Sequence, residues 1–131
     1  MVFVDASALV AFLLQEPEGP ELAERLQAAG GGYTSPLAMF ETITAVMARR
    51  RIPLGEAEER LAVLLAETSV ILVDITPEIG RLALAAFERY GKGRGHPAQL
   101  NMGDCFAYAC AQSLAVPLLY KGDDFARTDL A

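Results

Sequence analysis

Short runs of β-branched and aromatic residues alternate along the chain with longer stretches in which apolar residues recur every three or four positions. The short runs are typical of strands, and the longer stretches are typical of helices. Regular alternation of the two predicts an α/β fold with a mainly parallel sheet. We expect four or five strands and six helices to account for nearly the whole chain.

The boundaries of these elements follow from turn and capping residues. Strands are predicted at residues 2–5, near 33–34, at 70–73 and at 118–120, and helices at 6–14, from 19–20 to the glycines at 30–32, and at 36–50, 55–67, 77–90 and 102–115. Ser35, Thr76 and Asn101 are expected as N-caps, because each directly precedes a helical pattern. Residues 70–73 are continuously apolar, as expected for a strand that is covered on both faces. Residues 91–99 are the clearest predicted loop.

Composition agrees with one folded unit. The chain has 131 residues, of which 53% are hydrophobic and 21% charged, so we expect a single soluble domain spanning 1–131. Its 11 basic against 17 acidic residues give a net charge of -6. This balance argues against a protein that holds nucleic acid through a general positive field, and any such contact must be local.

Cysteine spacing and the lack of a long apolar run indicate the cellular compartment. Cys105 and Cys110 would point about 140° apart on one helix, so we expect buried thiols rather than a disulfide. The chain shows no basic leader and no stretch long enough to span a bilayer. We therefore expect a cytoplasmic protein with no membrane contact.

Two acidic residues stand in apolar surroundings. Asp5 ends the first predicted strand, at the sheet edge where ligands bind in parallel α/β folds, although it could equally serve as the N-cap of the next helix. Asp104 lies in the first turn of a helix that is apolar almost all round and therefore buried. Its alternative role is to interact with the helix dipole. Burial favours a ligand role for both.

Two further carboxylates can reach the same edge. Glu41 lies beside the apolar stripe of the third helix, where it could also be an ordinary boundary residue. Asp123 follows the last strand, although Gly-Asp-Asp is also a common turn sequence. Four such carboxylates raise one another's pKa unless a cation neutralises them, and oxygen ligands suit Mg²⁺ or Mn²⁺. Metal ions held in this way are the basis of metal-dependent nuclease chemistry.

Three segments together resemble a known family. They read V-D-A-S-A-L-V-A at 4–11, L-N-M-G-D-C-F-A-Y-A at 100–109 and L-L-Y-K-G-D-D-F-A-R-T-D-L at 118–130. With the helix that carries Glu41, they resemble the PIN-domain ribonucleases, specifically the VapC toxins of VapBC toxin–antitoxin modules, over essentially the full chain. The resemblance implies a three-layer α/β/α fold, a Mg²⁺- or Mn²⁺-dependent endoribonuclease, a homodimer and inhibition by a VapB-type antitoxin.

The same resemblance assigns roles to individual residues. The catalytic and metal-binding carboxylates it implies are Asp5, Glu41, Asp104 and Asp123, with Ser7 and Asn101 as supporting polar groups. Asp124 is adjacent to Asp123, and either of them could face the metal.

Basic residues near these motifs could contact RNA. Residues 89–96 (RYGKGRGH) combine cations, an aromatic ring and flexible glycines, so Lys92 and Arg94 are candidate RNA contacts, with Lys121 as a third. A solvated loop is the alternative interpretation of the segment. His96 is the only histidine and is assigned no role.

Two other functions compete with the nuclease. In a phosphoryl-receiver signalling domain, Asp74 would be the phosphoacceptor and Lys121 the lysine that acts with it after the last strand. That function would leave Glu41 and Asp104 unexplained. A catalytically silent binding module would instead receive a partner arginine in its acidic crevice. Metal-dependent RNA cleavage distinguishes the nuclease from both alternatives.

Overall fold

The computed structural model describes residues 1–131. Every predicted element is present, with ends that differ from prediction by one or two residues at most. The strands are β1 (Val2–Val4), β2 (Gly32–Thr34), β3 (Val70–Leu72) and β4 (Leu118–Leu119), and the helices are α1 (Ala6–Leu13), α2 (Gly19–Ala28), α3 (Pro36–Arg50), α4 (Leu54–Glu67), α5 (Pro77–Tyr90) and α6 (Met102–Leu114).

The four strands form one parallel sheet in the order β3-β2-β1-β4. Phe3 pairs with Leu118 and Val4 with Leu119, so β1 and β4 end side by side. The segments that follow these two strands therefore begin at the same edge of the sheet, as the sequence predicts for Asp5 and the residues after β4.

Helices cover both faces of the sheet. Phe3 and Leu118 point into a core shared with α5 and α6. Val4 and Leu119 point to the opposite face, into a core shared with α1, α2 and α4. This alternation of side chains along the strands confirms the three-layer α/β/α architecture.

The predicted caps define where three helices begin. Ser35 Oγ accepts a hydrogen bond from the Ala38 amide at 3.1 Å, and Thr76 Oγ1 accepts one from the Ile79 amide at 3.2 Å. Asn101 caps α6 in the same way. None of the six helices combines the length and the hydropathy that a membrane span requires.

The expectation that strand 70–73 is covered on both faces is wrong. β3 is an edge strand that pairs only with β2, and it ends at Leu72. Val70 is buried, whereas Ile71 and Leu72 are 56% and 48% exposed. An apolar run fits a buried strand and an edge strand alike, because coverage depends on the position of the strand in the sheet. Cys105 and Cys110, by contrast, are buried free thiols as predicted.

Candidate active site

Asp5 is both the N-cap of α1 and a buried carboxylate. Its Oδ2 accepts a hydrogen bond from the Ser7 amide at 3.0 Å, and the residue is 6% exposed. Asp5 follows β1, and its own amide donates to the Leu119 carbonyl of β4 at 3.0 Å. The two alternative interpretations of this residue are therefore compatible, because one oxygen serves the helix while the group lies at the carboxyl edge of the sheet.

Ser7 connects Asp5 to the segment after β4. The Ser7 hydroxyl donates to Asp5 Oδ2 at 2.6 Å and accepts from the Lys121 amide at 3.0 Å. A hydroxyl that donates to one group and accepts from another has a fixed orientation. Ser7 thus fixes the Asp5 carboxylate relative to Lys121, at the start of the segment that follows β4.

Asp104 and Asn101 form a capping box at the start of α6. The Asn101 side chain accepts from the Asp104 amide at 2.9 Å, and Asp104 Oδ2 accepts from the Asn101 amide at 3.1 Å. Asp104 is 7% exposed. As with Asp5, satisfying the ends of a helix makes the burial of a carboxylate tolerable.

Glu41 reaches these residues from α3, the helix that packs beside α6. Its carboxylate lies against the α-carbon of Gly103, where a Cβ atom would be only 2.1 Å from Glu41 Oε2. Sequence reasoning did not single out Gly103. The available signal was a glycine inside a helix, directly before a candidate ligand, at a position where alanine is the better helix former.

Burial raises the pKa of all three carboxyl groups, and the negative charge of at least one nearby acidic residue adds to each shift. Desolvation is the main cause of the raised pKa of Asp5, and it is opposed by the hydrogen bonds from Ser7. Desolvation and the charges of Asp5 and Asp104 raise the pKa of Glu41 to about 7. Desolvation raises the pKa of Asp104 to about 6, against the hydrogen bond from Asn101, and the charge of Asp5 adds to the shift. The three groups therefore lie within electrostatic range of one another.

The charge of Asp124, rather than that of Asp123, acts on this cluster. The charge of Asp124 raises the pKa of both Asp5 and Asp104, whereas Asp123 contributes to neither shift. Both side chains are exposed. The role of Asp123 as the fourth carboxylate stays a prediction, and the electrostatics favour its neighbour.

The C-terminal segment that carries these two aspartates is anchored on both sides of them. Lys121 is tied to Ser7, and Phe125 is 1% exposed in the core beside α5 and α6. Further along, the Asp129 carboxylate accepts hydrogen bonds from the hydroxyls of Tyr90 and Tyr108. Asp124 therefore lies on a turn that is fixed by packing on one side and hydrogen bonds on the other.

No basic side chain neutralises the acidic cluster. The ion pairs of the chain are Arg49–Glu16, Arg60–Glu56, Lys121–Glu16 and Lys121–Glu18, and none of them involves Asp5, Glu41 or Asp104. A set of carboxylate oxygens with uncompensated charge fits Mg²⁺ or Mn²⁺ by its donor chemistry. With the side chains positioned as they are in this structure, no group of three or more acidic, histidine or cysteine residues could hold a metal ion.

The predicted RNA contacts differ in their surroundings. The Lys121 ammonium is 3.2 Å from Glu16 Oε1 and 3.8 Å from Glu18 Oε2, so its ion pairs are with residues other than the clustered carboxylates. Lys92 lines a 420 Å³ groove between α5 and α6, next to the start of α6. The Arg94 guanidinium lies 5.9 Å from the centre of the Phe87 ring. Lys92 and Arg94 form no ion pair.

Comparison with known proteins assigns the family. A sequence model of the PIN domain matches residues 2–130. The chain belongs to the PIN-domain family. PIN-domain membership contradicts the phosphoryl-receiver alternative.

Relatives place this PIN domain among the VapC ribonucleases. A VapC ribonuclease of Rhizobium meliloti is 44% identical, with 99% of each chain covered. Ribonuclease VapC30 of Mycobacterium tuberculosis is 39% identical over 98% of this chain and 95% of its own length. The crystal structure of VapC20 from the same species, described as a sarcin–ricin loop cleaving toxin, superposes with a TM-score of 0.73 at 19% identity, covering 100% of this chain and 97% of VapC20. The predicted resemblance to VapC toxins of toxin–antitoxin modules is confirmed.

Proposed function

We propose that this PIN domain is a Mg²⁺- or Mn²⁺-dependent endoribonuclease that hydrolyses RNA phosphodiester bonds. The observation that carries the proposal is the placement of Asp5 and Asp104, both buried, with Glu41 beside them and no basic side chain paired to any of the three. In their charged state these carboxylates repel one another, and a cation bound among them would remove that repulsion. A site of this kind is maintained for a ligand rather than for stability.

The proposal divides the residues of the site into those that hold the cation and those that orient them. Asp5, Glu41 and Asp104 would hold the cation, with a fourth carboxylate from Asp124 or Asp123. When bound, a divalent cation supplies the acidity that activates water and stabilises charge on a phosphodiester. Ser7 fixes the orientation of Asp5, and Asn101 does the same for Asp104, through hydrogen bonds of 2.6 and 3.1 Å. Such outer contacts tune metal ligands.

RNA as substrate is supported by the names of the relatives and by the charge distribution. The related proteins are named ribonucleases. Lys92 and Arg94 lie on the loop that leads into α6, and this position supports a role for them in holding a phosphate backbone near Asp104. Because single-stranded or looped RNA exposes both backbone and bases, it suits a flexible basic loop better than a duplex does.

A VapB-like antitoxin is the partner that we propose for this site. An acidic pocket that attracts divalent cations also accepts a guanidinium, whose donors match carboxylate oxygens in pairs. A basic side chain of the antitoxin would then compete with the metal among Asp5, Glu41 and Asp104. We also propose a homodimer, as the resemblance to VapC toxins implies, together with a single functional domain over 1–131 and a cytoplasmic location.

RNA cleavage with and without metal tests the nuclease. Antitoxin-free protein should cut structured RNA in Mg²⁺ or Mn²⁺, stop when chelator is added and resume with excess metal. Asp5→Asn keeps an oxygen that can accept from Ser7, so it should fold normally, while loss of the charge should lower the rate on the order of 100-fold. Cleavage that survives chelation would contradict the proposal. A folded wild-type protein that cuts no RNA in either metal would support the silent binding module.

Competition between Mn²⁺ and the antitoxin tests the proposed VapB-like partner. The complex with antitoxin should bind less Mn²⁺ than the free protein, and replacing the inserted arginine of the antitoxin with alanine should restore both metal binding and cleavage. Full Mn²⁺ binding by the intact complex would contradict this mechanism of inhibition.

A further inference from the structure

Gly103 lies where α6 meets α3, directly before Asp104, and it is buried. A Cβ atom at this position would lie 2.1 Å from Glu41 Oε2, 2.6 Å from its Cδ and 2.7 Å from Oε1. Carbon and oxygen atoms that are not bonded pack no closer than about 3 Å, so the two cannot occupy these positions together. The Glu41 carboxylate therefore fills the space that any other side chain at 103 would take.

The backbone does not explain this glycine. Its φ angle is outside the left-handed region that favours glycine, since the glycines with positive φ are at 30, 31, 93, 95 and 122. Alanine is the better residue for a helix. Gly55, at the second position of α4, has the same place in its helix as Gly103 has in α6, yet a Cβ there would meet nothing within 4 Å. The close contact with a carboxylate is specific to position 103.

Glu41 has no other restraint on its side chain. No hydrogen bond or ion pair in the structure holds its carboxylate, whereas Asp5 and Asp104 are each held by backbone amides. It is also only half-buried, so it has room to turn towards solvent. Contact with the bare α-carbon of Gly103 is what allows it to lie beside Asp104.

We propose that Gly103 is a positioning residue, whose missing side chain lets the Glu41 carboxylate join Asp5 and Asp104. This inference rests on the proposed metal site. A methyl group at 103 would push Glu41 outwards and leave two carboxylates in place. The metal site would be weakened although α6 itself gains a better helix former.

Mn²⁺ titration by calorimetry, together with thermal unfolding of the metal-free protein, tests this role. Gly103→Ala should weaken Mn²⁺ binding by about 10-fold or more without lowering the melting temperature. Gly55→Ala, the matched control, should bind Mn²⁺ like the wild type. Equal Mn²⁺ affinity of Gly103→Ala and wild type would overturn the inference while leaving the metal site intact.

A double-mutant cycle separates an effect through Glu41 from a direct effect on Asp104. In a Glu41→Ala background, Gly103→Ala should cause no further loss of Mn²⁺ affinity, because the group it displaces is gone. A second loss of similar size in that background would show that position 103 acts by another route, which overturns the inference.

Crystal structures of the metal-free wild type and Gly103→Ala keep the test independent of metal binding. If wild type bound no Mn²⁺, the proposed function would fail, but the position of Glu41 would still decide the role of Gly103. A Glu41 carboxylate turned towards solvent in Gly103→Ala supports the inference. An unmoved Glu41 with a displaced α6 contradicts it.

Discussion

Asp5 and Asp104 each lie in surroundings that act in opposite directions on the charge of the carboxylate. Each satisfies backbone amides at the start of a helix, and each is a buried carboxylate without a basic partner. Amide donors favour the charged form, while burial and neighbouring acids oppose it. An asparagine at either position keeps an oxygen for the cap and removes only the charge, which makes these variants clean probes of the site.

Raised pKa values make the stability of the metal-free protein depend on pH. The pKa of Asp104 is about 6 and that of Glu41 about 7, both above their ordinary values of 3.8 and 4.5. The folded state therefore holds protons that the unfolded state releases, so the stabilising contribution is complete below about pH 4 and is lost as pH rises to about 7. In chelator, the free energy of unfolding should fall by roughly 1 to 2 kcal/mol between pH 5 and 8, after allowance for solvent screening.

Urea unfolding of wild type and Asp104→Asn at several pH values measures this effect. The Asn variant should show a smaller decrease, because its side chain does not titrate. Added Mn²⁺ should reverse the decrease in wild type. If the free energy of unfolding changed with pH by the same amount in wild type and in Asp104→Asn, the raised pKa of Asp104 would be contradicted.

The fourth carboxylate is a choice between two neighbours. Since the charge of Asp124 acts on Asp5 and Asp104 and that of Asp123 does not, Asp124→Asn should lower the rate of RNA cleavage more than Asp123→Asn. We expect Asp124→Asn to cleave RNA about 10-fold more slowly than Asp123→Asn, as for loss of one metal ligand or of a residue that orients a ligand. Comparing the two variants at saturating Mn²⁺ measures it, and a larger loss in Asp123→Asn would restore the assignment made from sequence.

The sequence predicts burial of a polar residue where that residue is out of place in its own segment. The burial of Asp5 and Asp104 is predictable because a single acid interrupts an apolar pattern. The sequence does not distinguish Asp123 from Asp124. Adjacent residues in a turn face different ways, and no periodicity indicates which of the two faces the other carboxylates. The pattern of α3 alone does not distinguish Glu41 from an ordinary boundary residue, since its environment depends on Gly103 of α6, 62 positions away.

Helix starts were predictable, whereas the environment of one strand was not. Ser35, Thr76 and Asn101 cap their helices through contacts only three residues away, so the signal is local. The environment of β3 depends on strand order, which places it at the edge. Four consecutive apolar residues at 70–73 carry no information on that order.

The edge position of β3 predicts opposite responses at adjacent residues. Val70→Ala should lower the free energy of unfolding by roughly 1 to 3 kcal/mol, because its side chain is buried. Ile71→Thr should change it by less than about 0.5 kcal/mol, because its side chain is 56% exposed and threonine suits a strand. Urea unfolding of both variants measures the difference, and an equally large loss in Ile71→Thr would indicate that another surface covers this strand.

The distribution of charge over the molecule decides where RNA can bind. With a net charge of -6, attraction must come from a few free cations. The place of Lys121 after β4 makes it a candidate RNA contact, but its ammonium pairs with Glu16 and Glu18, more than 100 positions earlier in the chain. No local pattern could reveal that pairing.

Lys92 and Arg94 should therefore contribute more to RNA binding than Lys121. Each of the variants Lys92→Ala and Arg94→Ala should lower the slope of log affinity against log salt by about 0.7, the value for one contact to single-stranded nucleic acid. Lys121→Ala should leave the slope unchanged. Binding to a non-cleaved RNA in chelator, measured over a range of salt, checks this, and a slope change confined to Lys121→Ala would reverse the assignment.

The dependence of RNA cleavage rate on Mn²⁺ concentration, measured for wild type and Asp104→Asn, tests the metal-dependent active site most directly. Wild type should be inactive without metal and should reach a maximal rate as Mn²⁺ saturates the site. Asp104→Asn, with its capping box intact, should fold equally well and remain near the metal-free rate across the whole range. The same saturating curve in both proteins would contradict the account, because the buried carboxylate of α6 would then play no part in the metal chemistry.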